Sequence, residues 1–265
     1  MTAFDPCGTA HEVTGPPDAP AVVLVHGLGL TRAVWQWMVP DLDGRFRVVT
    51  YDLAGHGASA RPAGRPALGD LARQLSALLD HLGIARAAVV GFSLGGMVAR
   101  RFAQDHPDRT AALAILNSPH RRTAAEQAAV LARVALAEAA GPAATVEAAL
   151  SRWYTDACRA SRPDLVDLTR SWVIGNDPGL YPGPYRILAD GVEEVVAPSP
   201  PIGCPTLVLT AEADRGNGPH MAAAIAGEIA GSRLVILPGL RHLALVEDPA
   251  AVNRPVAAFL TEVLS

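Results

Sequence analysis

The fold of this 265-residue chain is decided by residues 87–96, which read Ala-Ala-Val-Val-Gly-Phe-Ser-Leu-Gly-Gly. The apolar run at its start is typical of a strand that is buried on both faces of a sheet. Gly91 and Gly95 stand two positions before and after Ser93, which allows a strained turn from this strand into a helix. We therefore expect the Ser93 hydroxyl to project at the helix N-terminus. The alternative is a glycine-rich turn in which Ser93 only caps the helix.

Similar apolar runs lie on both sides of this stretch, and helical patterns separate them. The runs predict further strands at residues 22–25, 47–53, 112–116, 206–210 and 233–237. Apolar residues at a spacing of three to four predict helices at residues 70–82, 94–106 and 249–264. This alternation favours an α/β protein with a mostly parallel central sheet and helices on both faces.

The alternation stops between residues 119 and 196, where the chain is rich in alanine and helical in pattern. This region predicts helices at residues 123–140, 145–154 and 163–174. It ends at residues 197–201, Ala-Pro-Ser-Pro-Pro, which form a stiff connector. We therefore predict an α/β core of residues 1–118 and 197–265 with an inserted helical cap of residues 119–196. Alternatively, these helices belong to the periphery of the core.

Composition excludes several classes of chemistry. All 22 basic residues are arginine, and the formal net charge is −4. The absence of lysine excludes a lysine Schiff base, an internal pyridoxal aldimine and a P-loop lysine. A weakly acidic chain with scattered arginines is a poor candidate for binding nucleic acid or an anionic membrane. We expect a small-molecule substrate as the partner, and the oligomeric state stays open.

Neither a cofactor nor a metal site is expected. The histidines are scattered without an HxH or HExxH pair, and no GxGxxG follows the first strand. The cysteines lie far apart and are expected to be reduced: Cys7, Cys158 and Cys204. No signal peptide is visible, and no apolar run reaches the ~18 residues needed to span a membrane. We expect a cytoplasmic protein.

Reactive side chains follow several of the strands, and ligands of open parallel sheets bind beyond the carboxyl ends of the strands. Asp214 follows the strand at 206–210, and His242 follows the strand at 233–237. Serine is a weak nucleophile that needs a base, and the base needs a carboxylate to hold its tautomer. We therefore predict Ser93 as nucleophile, His242 as base and Asp214 as the orienting acid.

Other residues compete for two of these roles. Glu212 is the alternative acid, and His120 and His220 are weaker candidates for the base. Asn117 and Ser118 end the strand after the Ser93 helix, so that strand offers no carboxylate.

An oxyanion hole is expected beside Ser93. The backbone N–H of Leu94 supplies one donor, and the N–H of Leu28 supplies the other, because the glycines of residues 26–29 allow close approach of the backbone. We interpret His26 as an orienting residue. Residues 52–59, which contain His56, are interpreted as a structural turn.

These motifs together resemble the α/β-hydrolase superfamily over essentially the whole chain. The order Ser93, Asp214, His242 is the order of that superfamily. The resemblance implies a serine hydrolase of carboxylic esters or lactones, in enzyme class 3.1.1. A serine at position 93 argues against haloalkane dehalogenase and epoxide hydrolase relatives, which use aspartate there. The pieces that carry the resemblance are residues 26–29, 52–59 and 91–96, Asp214 and His242.

Within the superfamily, the cap resembles that of the β-ketoadipate enol-lactone hydrolases, alongside carboxylesterases in general. The resemblance is carried by residues 151–155, 162–166 and 175–181. It implies that Arg152 pairs with a carboxylate of the lactone and that Trp153 forms an apolar wall. Alternatively, Arg152 is a surface residue of a helix.

Two stretches depart from the family pattern. Residues 182–185, Pro-Gly-Pro-Tyr, predict a break in a helix that the family continues, and Arg241 stands where glycine is common. The same scaffold also supports carbon–carbon bond hydrolases, perhydrolases, lyases and ligand receptors with little turnover. These remain the alternatives to an esterase or lactonase.

Overall fold

The computed structural model describes residues 1–62 and 64–265. Within these residues eight strands form one sheet, in the order β1-β2-β4-β3-β5-β6-β7-β8. The strands are β1 (Ala3–Phe4), β2 (Ala10–Thr14), β3 (Ala21–Val25), β4 (Arg47–Tyr51), β5 (Ala87–Phe92), β6 (Thr110–Leu116), β7 (Thr206–Ala211) and β8 (Arg233–Leu237). β2 pairs antiparallel with β1 and β4, and all other pairs are parallel. The predicted α/β class with a mostly parallel sheet is confirmed.

Helices connect the strands and pack against the sheet. The α-helices are α1 (Val39–Leu42), α2 (Leu68–His81), α3 (Leu94–Asp105), α4 (Ala124–Ala140), α5 (Ala143–Trp153), α6 (Asp156–Ser161), α7 (Pro163–Ile174), α8 (Pro182–Asp190), α9 (Pro219–Glu228), α10 (Ala244–Glu247) and α11 (Pro249–Leu264). Short 3₁₀-helices cover Arg32–Trp37, Pro107–Arg109 and Gly191–Val195. In the described part of the chain, no helix is both long enough and apolar enough to cross a membrane.

The centre of the sheet is buried because its strands have neighbours on both sides. Every residue of β3 and β5 is buried, as their continuous apolar runs predicted. β8 is an exception to this prediction. It lies at the sheet edge beside β7, and Leu234 and Ile236 are 42% and 37% exposed. An apolar run alone does not distinguish an edge strand from a central one.

The two N-terminal strands were not predicted. β2 carries His11, Glu12 and Thr14 and so lacks a continuous apolar run. Its pairing with β4 comes from tertiary contact rather than from a local sequence pattern.

Helices α4 to α8 all lie between β6 and β7. The division into a core and a cap with the boundaries given above stays a prediction. The expected helix break at residues 182–185 is wrong, because α8 begins at Pro182. Proline is tolerated in the first turn of a helix, where its missing N–H would have no intrahelical acceptor.

Candidate active site

Ser93 stands in the turn between β5 and α3, in a backbone conformation that few residues adopt. Its φ of 54° and ψ of −114° lie outside the favoured regions, and its N–H donates to Leu116 O at 2.8 Å. The turn depends on its glycines. A Cβ at Gly91 would overlap the carbonyl oxygen of Gly95, and a Cβ at Gly95 would overlap that of Val25. The strained turn predicted from the sequence is therefore present.

His242 and Asp214 form a hydrogen-bonded pair in the loops that follow β8 and β7. The His242 Nδ1 lies 2.7 Å from Asp214 Oδ2, and the two side chains are only 9% and 1% exposed. A proton on Nδ1 donates to the carboxylate, which leaves Nε2 without a proton in the neutral ring. This is the tautomer that a base needs.

Asp214 is held as a carboxylate by several donors. Its Oδ1 accepts from the N–H groups of Gly216 and Asn217 at 2.9 and 3.0 Å, and Oδ2 also accepts from Asn117 Nδ2 at 2.9 Å. Burial alone would raise the pKa of Asp214. The His242 charge and the hydrogen bonds from His242, Asn117 and Gly216 outweigh burial and lower this pKa to about 2.

Ser93 and His242 line the same cavity, together with Asp214. Within the described residues, neither Ser93 Oγ nor His242 Nε2 makes a hydrogen bond, so the pair is placed together but not joined. Such bonds often tighten only when substrate is present. The imidazole lies between two aromatic rings, with centroid distances of 4.9 Å to Phe92 and 6.0 Å to Trp153.

The two residues expected to supply the oxyanion donors, Leu28 and Leu94, both belong to segments that lie next to Ser93. Leu94 is the first residue of α3, where an N–H has no intrahelical acceptor. A Cβ at Gly27 would lie 3.2 Å from Ser93 Cβ, so the backbone leading into Leu28 passes directly against the serine. Leu28 itself lines the cavity.

Two buried histidines form hydrogen bonds to the loop of residues 26–29, which contains Leu28. His26 Nδ1 donates to Gly27 O at 2.8 Å, and its Nε2 accepts from Leu53 N at 2.9 Å. His56 Nε2 accepts from Gly29 N at 3.1 Å. Burial, and for His56 also the neighbouring His26, lowers both pKa values, that of His56 to about 3. Both rings are therefore neutral supports of the loop at pH 7.

Three arginines line the cavity, and only Arg152 was predicted from the sequence. They are Arg122, Arg133 and Arg152, and none has a carboxylate within 4 Å among the described residues. Arg152 Nη1 donates to Ala148 O at 2.8 Å, and Arg133 Nε donates to Tyr185 Oη at 3.2 Å. Burial, followed by repulsion from Arg133, lowers the pKa of Arg122 to about 10 and lowers that of Arg152. The three guanidinium groups therefore bring positive charge to the cavity without a directly paired carboxylate among the described residues.

Of the other predicted site residues, Trp153 also lines the cavity. The competing candidates lie elsewhere. Glu212 is exposed and accepts from Gly239 N at 3.0 Å, and His120 pairs with Glu228 at 2.9 Å. His220 is exposed and lies 3.5 Å from Glu126.

Fold and site together define an α/β hydrolase. Residues 20–249 match the family described as the alpha/beta hydrolase fold, and the chain belongs to this family.

Its relatives carry hydrolase names. The chain is 34% identical over 256 residues to a putative carbamate hydrolase RutD of Variovorax paradoxus, and the match covers 96% of both proteins. It is 29% identical over 251 residues to 3-oxoadipate enol-lactonase 2 of Acinetobacter baylyi, which covers 94% of this chain and 92% of that protein. The crystal structure of the enol-lactonase from Burkholderia xenovorans LB400 superposes with a TM-score of 0.89 at 29% identity, covering 98% and 100% of the two chains. The prediction of a hydrolase is confirmed at this level.

Proposed function

We propose that this hydrolase cleaves a carboxylic ester or lactone that carries a carboxylate, through an acyl-enzyme on Ser93. The observation that carries the proposal is a cavity that holds Ser93, the His242–Asp214 pair and three arginines that have no carboxylate partner in the described part of the chain. The first group supplies acyl-transfer chemistry, and the arginines supply a site for an anion.

The reaction follows from the positions of these groups. Ser93 Oγ attacks the substrate carbonyl carbon while His242 Nε2 takes the hydroxyl proton. The N–H groups of Leu28 and Leu94 stabilise the oxyanion. The C–O bond then breaks, and His242 returns the proton to the leaving alkoxide, which in a lactone stays attached to the acyl chain. Water, deprotonated by His242, releases the acid and frees Ser93.

The substrate class rests on the charged wall of the cavity. Arg152 is half-buried, and its Nε and Nη2 make no hydrogen bond to the described residues. A guanidinium in this setting favours a carboxylate by a bidentate pair. Trp153 adds an apolar surface against the His242 ring. The named activity of the enol-lactonase relatives supports this class.

A comparison of a carboxylate-bearing enol lactone with p-nitrophenyl acetate tests the proposal. We expect both to be hydrolysed by the wild type and neither by Ser93→Ala. Arg152→Ala should lower kcat/KM for the lactone by about 10- to 100-fold, as expected for loss of hydrogen bonds between charged groups. The matched control is Arg162→Ala, which removes an exposed arginine paired with Asp164. Equal rates for Arg152→Ala and the control on the lactone would remove the support for an anionic substrate.

A carbamate is the second candidate substrate, because the carbamate hydrolase relative is the more similar of the two curated relatives described above. The same acyl transfer to Ser93 would then release an amine or ammonia instead of an alcohol. Ammonia release from simple carbamates separates the two substrates.

A further inference from the structure

Arg241 precedes the base and reaches away from it, to the end of α5. We define the α5 end as residues 151–156. Arg241 Nη1 donates to Tyr154 O at 2.7 Å and to Ser151 O at 3.1 Å. The same guanidinium contacts the Asp156 carboxylate at 3.1 and 3.3 Å. The Arg241 side chain is 11% exposed, whereas that of Asp156 is 78% exposed.

The hydrogen bonds from Arg241 to the carbonyls of Ser151 and Tyr154 contribute more to this contact than the ion pair with Asp156. The last carbonyls of a helix lack intrahelical partners and carry the negative end of the helix dipole. A buried guanidinium satisfies them and complements their charge. The ion pair with Asp156 faces water, and such exposed pairs contribute little.

A second bond places His242 between two contacts with the α5 end. Leu243 N donates to Trp153 O at 3.0 Å. Arg241 and Leu243 therefore both bind the α5 end. His242 stands between them in the sequence, and its ring centroid lies 6.0 Å from that of Trp153. The α5 end also carries Arg152, which lines the cavity.

We propose that Arg241 is a positioning residue that fixes the α5 end, and with it Arg152 and Trp153, over the imidazole of His242. Asp214 holds the imidazole itself. Arg241 therefore acts on substrates that contact the α5 end, and much less on small substrates that need only the triad. This inference rests on the proposed function for its kinetic test, but it also has a test that needs no turnover.

The kinetic test compares the enol lactone with p-nitrophenyl acetate in Arg241→Ala. We expect kcat/KM for the lactone to fall at least about 10-fold, mainly through KM, and that for p-nitrophenyl acetate to fall by at most about threefold. The control Asp156→Asn, which removes an exposed carboxylate that pairs with Arg241 and, at 3.8 Å, with Arg159, should stay within about twofold on both. In the double variant Arg241→Ala/Arg152→Ala, kcat/KM for the lactone should lie within about twofold of its value in Arg152→Ala alone, because the effects of coupled residues are not additive. Equal losses on both substrates, no loss, or additive losses would overturn the proposal.

The second test measures how far acrylamide quenches the fluorescence of Trp153 at constant pH, taken as the difference between a protein that has Trp153 and the same protein with Trp153→Phe. Because the Arg241 hydrogen bonds hold the α5 end, we expect the quenching constant of Trp153 to at least double in Arg241→Ala and to stay unchanged in Asp156→Asn. An unchanged constant in Arg241→Ala would overturn the proposal, whether or not either ester is hydrolysed. An increased constant without hydrolysis of either ester would mean that the proposed function alone fails.

Thermal unfolding checks that Arg241→Ala is folded. If it is not, both measurements are made on Arg241→Lys, which keeps the charge but cannot donate to Tyr154 O and Asp156 with one planar group. The substrate ratio should then change by about threefold, and an unchanged ratio would contradict the proposed role.

Discussion

Replacing Asp214 by asparagine keeps the shape of the side chain and removes its charge. The N–H groups of Gly216 and Asn217 already donate to one oxygen of this residue. In Asp214→Asn the amide oxygen must stay on that side, so the NH₂ group faces His242 Nδ1. A ring nitrogen that faces a donor must accept, and the proton of the neutral ring moves to Nε2. His242 then presents N–H to Ser93 and cannot take its proton.

The magnitude has two parts. The pKa of Asp214 is lowered from 3.8 to about 2, which corresponds to about 2 kcal/mol, or a 10- to 100-fold change in an equilibrium constant on the order-of-magnitude scale of one pKa unit per tenfold. This net value measures how strongly the surroundings favour the carboxylate. The changed tautomer adds the larger part. We expect kcat to fall by about 10⁴-fold in total, as for the equivalent change in other triads, while KM stays within about threefold.

The assay is steady-state hydrolysis of p-nitrophenyl acetate at pH 7, with circular dichroism and a urea melt to check folding. Asp214→Asn also places its NH₂ group against the Asn117 NH₂ group, which donates at 2.9 Å in the wild type. We therefore expect a moderate loss of stability as well. A folded Asp214→Asn variant that keeps more than one tenth of the wild-type kcat would refute the argument, since it would show that the base does not need this carboxylate.

Three further predictions concern the turn around Ser93, the loop of residues 26–29 and the arginines of the cavity. Gly95→Ala should lower the free energy of unfolding, measured in a urea melt, by about 3 kcal/mol or more, because the added Cβ meets the Val25 carbonyl. The control Gly227→Ala places its Cβ in open space and should cost nothing. Equal melts for the two variants would contradict the close approach of Gly95 to Val25. His56 has a pKa of about 3 against 6.5, so unfolding takes up a proton below pH 6.5, and between pH 7 and 4.5 this group should reduce the free energy of unfolding by about 2 to 3 kcal/mol. His56→Gln keeps an acceptor for Gly29 N and should remove about that amount of the change in stability with pH. An unchanged dependence of the free energy of unfolding on pH would be inconsistent with a buried neutral ring. Arg133→Ala should raise KM for the enol lactone several-fold and leave p-nitrophenyl acetate nearly unaffected; the reverse pattern would exclude a role in anion binding.

The positions of Ser93, Asp214 and His242 could be predicted because of the sheet. Each residue follows a strand, and parallel strands bring their carboxyl ends to one edge. Glycine spacing around Ser93 predicted the strained turn, and the structure leaves no room for a Cβ at Gly91 or Gly95. These are local signals that tertiary packing reinforces.

Contacts between distant parts of the chain, either across the sheet or with the inserted helices, could not be predicted in the same way. Asn117 reaches Asp214 only because β6 and β7 are neighbours, which requires the strand order. Arg133 has a weak signal, because it follows Val130 by three residues and so lies near the buried side of α4. Nothing in the sequence pairs Arg241 with Tyr154, 87 residues away. Only the packed chain brings residues of this kind together.

Labelling with a fluorophosphonate tests acyl transfer at Ser93, because this probe reacts with an activated serine. Intact-mass spectrometry of the wild type should show a single adduct, and peptide mapping should place it on Ser93. The adduct should be absent in Ser93→Ala and form far more slowly in His242→Gln. An unmodified wild-type mass, or an adduct on another residue, would contradict acyl transfer at Ser93.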